Sequence, residues 1–220
     1  MSDPVEITTQ NTTVEEWTWA LAQSTGSPGG GAGAGLMLAV AASLTSMVAG
    51  YSQASEESGL EVSSILPRAR ALRHEALRLA DEDSAASKAF GAAFRMNPGS
   101  ARDSAISEAS VEAAKASAVL GQRALEAIED LAWLSTHGNR ALIADVVVGF
   151  GALRSTLAGA RTNVSFDLST LTAAGKSMEE IHKQHPVLWS MVGKLHAGIE
   201  RIDGLVAGLD PKAAPTDDRS

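Results

Sequence analysis

The chain has 220 residues, a formal net charge of −8 and no cysteine. The missing cysteines exclude a disulfide framework, a thiolate nucleophile and a thiolate metal site, and an acidic chain with no basic cluster argues against a nucleic-acid partner. Hydrophobic residues make up 45% but aromatics only 4%, so the core has to come from Ala, Leu, Val and Ile, and an all-α bundle of five or six long helices is expected.

Met1 to Gln10 carries acidic residues and no apolar stretch, so no signal peptide is read there, and a cysteine-free chain suits a reducing cytoplasm. Thr13-Val14-Glu15-Glu16 has capping-box spacing and predicts a first short helix to about Gln23. No residue from Trp17 to Ser55 is charged, which raises the question of a membrane span. Ser24 to Gly35 is nearly all Gly, Ser, Thr, Pro and Ala, leaving Leu36 to Val48 as the strongly apolar part, short of the ~20 residues a span needs. A buried helix from about Ala32 to Tyr51 is expected instead, with no membrane partner. Leu36, Val40, Leu44 and Met47 recur on it at helical spacing, while Gly31, Gly35, Ala39 and Ala42 make faces that another helix can approach closely.

Ser55 to Gly59 reads as a polar connection. Ile65, Leu72, Ala76, Leu79 and Phe90 mark a long third helix, which Asn97-Pro98-Gly99 ends. A fourth helix is expected from about Ala101 to Thr136, with Gly138 as its left-handed C-terminal glycine. A fifth runs from about Arg140 to Leu168 and is nearly all apolar or small over Ala141 to Leu153, the pattern of a helix buried all round. Pro186 interrupts the sixth region, and a last amphipathic helix carries Leu188, Val192, Leu195, Ile199, Ile202 and Leu205. The whole reads as one domain over residues 1–209 with a disordered tail over 210–220.

Four features carry candidate chemistry. Pro28-Gly29-Gly30-Gly31 lacks the Lys-Ser/Thr and the preceding strand of a nucleotide loop. It reads either as backbone that approaches a ligand at a helix N-terminus or as a tight turn feeding a close helix crossing. Asp83, flanked by Leu79, Ala86 and Phe90 on its helical face, reads either as an exposed acidic turn or as a carboxyl raised in pKa for proton transfer. Asp145 has Ile143 and three valines for company, so it needs either a structural partner or a chemical role. The five histidines form no metal-binding pair of the His-Glu-x-x-His kind, and no metal is expected.

Thr13-Val14-Glu15-Glu16-Trp17, Pro28-Gly29-Gly30-Gly31, Asp83, Gly138-Asn139, Asp145 and Asn163-Val164 form an ordered series over roughly Val14 to Leu171. The series resembles the folate cyclodeaminase/cyclohydrolase family, which includes the cyclodeaminase half of formimidoyltransferase-cyclodeaminase and stand-alone methenyltetrahydrofolate cyclohydrolases. Ala32 and Ala144 stand where that family usually has Ser, and Asp167 stands where Asn is frequent. Residues 51–59 lack the basic residues often found there, and Ser117 falls near an expected Pro. The resemblance implies an all-helical homodimer acting on a tetrahydrofolate derivative as substrate, with no permanently bound cofactor. It implies Asp83 or Asp145 as general acid/base, Asn139 and Asn163 as amides that orient the folate, and Gly29, Gly30 and Gly31 as pocket wall. Hydrolysis of 5,10-methenyltetrahydrofolate to 10-formyltetrahydrofolate is preferred, because no formimidoyltransferase domain is attached. The alternatives are deamination of formimidoyltetrahydrofolate and an idle scaffold dimer.

Overall fold

The computed structural model describes residues 7–24, 26–52 and 59–216, and among them every regular element is helical. The order is α1 (Val14–Leu21), α2 (Gly30–Tyr51), α3 (Gly59–Phe94), α4 (Ser100–His137), α5 (Ile143–Thr170), α6 (Met178–Gln184) and α7 (Pro186–Ala213). Short 3-10 turns, Arg140–Leu142 and Leu171–Ala174, flank α5. The all-α class and the long helices agree with the sequence reading. Residues 55–58 of the expected polar connection lie outside the described residues.

Local chemistry sets the boundaries. Thr13 accepts from the Glu16 backbone N–H while the Glu16 carboxylate accepts from Thr13, so α1 opens on the expected capping box. A second box, Ser177 with Glu180, opens α6. Pro186 occupies the first turn of α7, where its missing N–H costs nothing. Gly99 turns the chain from α3 into α4 at φ 150°, backbone that a side chain would strain. Gly138 is a correction: it is extended at φ −78° rather than left-handed. Glycine is needed there because a Cβ would lie 2.5 Å from the Leu134 carbonyl oxygen.

α2 packs on α3 and α5, and α4 packs on α3, α5 and α7. The shared core includes Leu38, Ile65, Leu131, Phe150, Leu153 and Leu195, all fully sealed from solvent. Burial of each such side chain stabilises the fold by ~1.5–3 kcal/mol relative to exposure. Small residues set the closest crossings: a Cβ on Gly35 would meet Ala80 Cβ at 2.7 Å, and one on Gly159 would meet Ala34 Cβ at 3.1 Å. Beside the second crossing, Thr156 Oγ1 donates to the Ala34 carbonyl at 3.1 Å.

Three expectations are corrected. α2 turns Gly31, Gly35, Ala39 and Ala42 inward, as expected of its small-residue faces, but of the larger residues at helical spacing Val40 and Met47 are exposed, as is Tyr51. α5 is not buried all round, since Val148 and Phe166 are 59% and 63% exposed. The reason is the same in both: at Gly and Ala the backbones approach closely, so the larger residues are left on the far face. α7 continues through residues 210–213 of the expected tail, anchored by buried Leu209; residues 217–220 lie outside the described part.

The apolar stretch of α2 also exceeds the Leu36 to Val48 estimate. By length and composition alone, two helical segments among the described residues reach the requirement for a membrane span: Gly30–Tyr51, with mean hydropathy 1.7, and Arg140–Ala174, with 1.6. Just over half of the α2 window, 56%, is buried against the other helices.

Candidate functional site

The site begins at the N-terminus of α2. Gly29 is its N-cap and offers no side-chain cap, so the first-turn N–H groups and the positive end of the helix dipole are left to groups from other elements. α3 crosses here at contact distance because positions 31 and 35 carry no side chain. A Cβ on Gly31 would fall 2.1–2.4 Å from the carboxyl atoms of Asp83. The Asp83 carboxyl therefore occupies the volume that any other residue at position 31 would need. The two readings of the glycine run coincide: it makes a close crossing and a pocket wall.

Asp83 is 7% exposed, and its Oδ2 is buried with no hydrogen-bond partner. Burial pushes its pKa above the usual carboxylate range, and the Ala32 backbone N–H pulls the other way with a smaller effect. The acidic neighbours are used elsewhere: Asp81 accepts from the Thr9 backbone N–H at 2.5 Å and from Gln10 Nε2 at 2.9 Å, and Glu82 pairs with Arg78. The exposed-turn reading of Asp83 is thereby set aside.

From α5 come Asn163 and Asp167, one turn apart and so on one face. Asp167 has its pKa pushed up to about 7, first by burial and then by the charge of Asp83. Two nearby carboxyls in a poorly solvated space do not both ionise readily, so the pair retains a proton near neutral pH and titrates as a unit. Ser87 and Phe90 of α3 with Ala113 and Ser117 of α4 complete a cavity of about 180 Å³ that Gly30 and Gly31 close from α2. Its charged lining residues are Asp83 and Asp167. Such a pocket favours a small cationic centre and can both donate and accept a proton.

The candidates divide between two ends of the bundle. Gly30, Gly31, Asp83 and Asn163 meet in this cavity, and Gly29 adjoins it as the cap of α2. Asn139 and Asp145 do not reach it. The Asn139 side chain caps the Arg140–Leu142 turn by accepting from the Ala141 N–H at 3.0 Å, and its backbone N–H donates to Ser52 Oγ, beyond the far end of α2, at 2.9 Å. Asp145 is half-buried in the first turn of α5, a position that the helix dipole favours for a carboxylate. At 1.5 Å per residue it lies roughly 33 Å along α5 from Asp167.

The sequence reading missed Asp167 as a member of the pair, along with Ser87, Phe90 and Ser117 as lining. The spacing from Asn163 to Asp167 was the available signal. A different cavity, of about 250 Å³, lies between α3 and α4 around Arg68 and Arg123. Its charges satisfy one another, Arg68 with Asp130 at 2.7 Å and Arg123 with Glu75 at 3.0 Å. No group of three or more His, Cys, Asp or Glu among the described residues is placed to hold a metal.

Comparison with known proteins agrees with the fold. The chain is similar in structure to a formiminotetrahydrofolate cyclodeaminase from Thermotoga maritima, with TM-score 0.76 and 21% identity over 91% of this chain and 98% of that one. No curated protein sequence matches it significantly. The family model described as formiminotransferase-cyclodeaminase matches residues 13–184, a span that contains every residue of the cavity. The chain belongs to the formiminotransferase-cyclodeaminase family.

Proposed function

We propose that the chain is a one-carbon folate enzyme that hydrolyses 5,10-methenyltetrahydrofolate to 10-formyltetrahydrofolate in the Asp83–Asp167 cavity. The observation that carries this reading is the buried, unpartnered Oδ2 of Asp83 beside a second carboxyl that keeps a proton near pH 7. The methenyl bridge is a cation, and a cavity whose charged lining is two carboxyls stabilises it. Water adds to the bridging carbon, and its proton passes to the ionised member of the pair. The bond from that carbon to N5 then breaks as the protonated member supplies a proton to N5, and the added hydroxyl loses its proton to solvent as its oxygen becomes the carbonyl of the formyl group left on N10. The net change adds one water and releases one proton. Asn163, one turn from Asp167, is suited to hydrogen-bond a polar edge of the folate. The tetrahydrofolate derivative enters as substrate, and the proton transfers require no further cofactor.

A second reading, deamination of formimidoyltetrahydrofolate, is favoured by the same retained proton. N10 attacks the formimidoyl carbon and gives up its proton, and the departing nitrogen needs an acid to leave as ammonia. The two are separated by incubating the protein with each substrate. Accelerated loss of methenyl absorbance with formation of 10-formyltetrahydrofolate is the expected result. Ammonia release from the formimidoyl substrate would replace hydrolysis with the second reading. Neither reaction above the buffer rate would overturn both.

The outer face of α2 and α5 supports a homodimer. α2 contains no charged residue, and its exposed Val40, Met47 and Tyr51 lie on the far side from α3, with exposed Val148 on neighbouring α5. In a chain that is 20% charged, so uncharged a face suits self-association. A dimer mass by light scattering is expected, and a monomer at micromolar concentration would contradict it.

A further inference from the structure

The cavity of about 180 Å³ holds a one-carbon centre but not a whole folate, and a larger groove of about 780 Å³ adjoins it through Phe90. The same three helices build both. On α3, Asp83 and Ser87 give way to Phe90, Gly91 and Phe94; on α4, Ser117 and Ala113 give way to Ile106 and Arg102; on α5, Asn163 and Asp167 give way to Phe166 and Thr170. From Asp83 to Phe94 the groove follows about 16 Å of helix at 1.5 Å per residue.

Two features show what this groove suits. It is aromatic: Phe90 and Phe94 stand with ring centroids 4.8 Å apart, and Phe166, on its rim, is 63% exposed. It ends on an arginine with no anion. Arg102 Nε is buried and has no hydrogen-bond partner, while its guanidinium carbon lies 5.9 Å from the Phe94 ring centroid. Arg68, Arg123, Arg154 and Arg201 each reach a carboxylate, whereas no ion pair among the described residues holds Arg102. Asp103 is exposed on the same groove and does not pair with it. Arg102 also stands in the first turn of α4, whose N-cap Gly99 gives no side-chain cap, so the helix dipole adds to the positive potential there. A desolvated guanidinium N–H without a partner is costly, and a bound carboxylate satisfies it.

We propose that this groove binds an aromatic ring that carries an amide-linked amino-acid carboxylate, with the ring against Phe90, Phe94 and Phe166 and that carboxylate on Arg102, as the distal half of the Asp83–Asp167 site. Resting on the folate reading, this assigns the groove to the aminobenzoylglutamate arm and makes Arg102 the residue that recognises the glutamate. The test compares binding of 5-formyltetrahydrofolate, of its pteroamide analogue, in which a neutral amide replaces the glutamate, and of p-aminobenzoylglutamate to the wild-type protein, Arg102→Met and Arg102→Lys. In the wild type the glutamylated folate should bind about 10-fold to 100-fold more tightly than the pteroamide, the range of a hydrogen bond to a charged group. Arg102→Met should abolish that preference without weakening pteroamide binding, and Arg102→Lys should restore part of it.

Equal affinity of the wild type for both folates, or an equal loss of both in Arg102→Met, would overturn the assignment of Arg102 and leave the folate reading standing. If the wild type binds neither folate, p-aminobenzoylglutamate decides alone. Its binding, lost in Arg102→Met, would uphold the groove while the folate reading fails, and its absence would refute both.

Discussion

Replacing Asp167 by Asn should change stability in a way that depends on pH with a definite sign. Below the unfolded-state pKa near 3.8, native and unfolded chains both hold the Asp167 proton, and the variant and wild type should have equal stability. As pH rises from about 4 to about 7, the unfolded chain gives up that proton while the native carboxyl retains it. Wild-type stability therefore falls across this window and levels off above it, whereas the neutral amide suffers no such loss. A carboxyl raised from 3.8 to about 7 corresponds to roughly 4 kcal/mol against the charged form. Asp167 is only partly buried, and solvent screening reduces the expected difference to about 1–2 kcal/mol. Urea unfolding at pH 4 and pH 8.5 measures it: the variant should match the wild type at pH 4 and exceed it at pH 8.5. Parallel stability curves at the two pH values would show that no perturbed carboxyl exists at position 167.

Gly31→Ala places a methyl where the Asp83 carboxyl sits, and should destabilise the fold by about 1–3 kcal/mol and strongly reduce turnover. Gly33→Ala, on the open side of the same helix, should instead stabilise by about 0.5–1 kcal/mol; thermal melts of the two variants check the pair. Asp145→Asn should leave turnover close to wild type, because that carboxyl lies at the other end of α5 from the cavity; a loss as large as that of an Asp83 variant would contradict the assignment. The pH profile of kcat should fall above about 7, where the carboxyl pair loses its remaining proton, and the falling limb should shift in Asp167→Asn.

The helices were legible because their punctuation is local. Thr13 and Glu16, Asn97-Pro98-Gly99 and Pro186 act on their own backbone neighbourhoods, and each boundary lies within a few residues of its signal. Which face of each helix would be buried was less legible. On α2 the large residues Val40 and Met47 suggest a core-facing stripe, yet helix approach is limited by side-chain size, and Gly31 and Gly35 let α3 come closer than any stripe of leucines would. The same closeness explains why Asp83 could be singled out but not placed: its burial depends on the missing Cβ at position 31, which lies far away in sequence. Asp145 shows the converse. Apolar neighbours in sequence suggested a buried carboxyl, but they point around the helix, and the first turn of α5 leaves Asp145 half-exposed. Asp167 was hidden because only the fold brings it to Asp83. Arg102 was hidden because an arginine without a partner is recognised only once the other carboxylates have been placed.

The central claim is that Asp83 performs proton transfer on a folate one-carbon unit, and Asp83→Asn tests it most directly. The amide keeps the shape of the carboxyl in the crevice beside Gly31, so the variant should fold and bind 5-formyltetrahydrofolate, while turnover of methenyltetrahydrofolate should fall by about 100-fold or more, the scale of general acid/base assistance. Wild-type turnover in a folded Asp83→Asn protein would contradict the account.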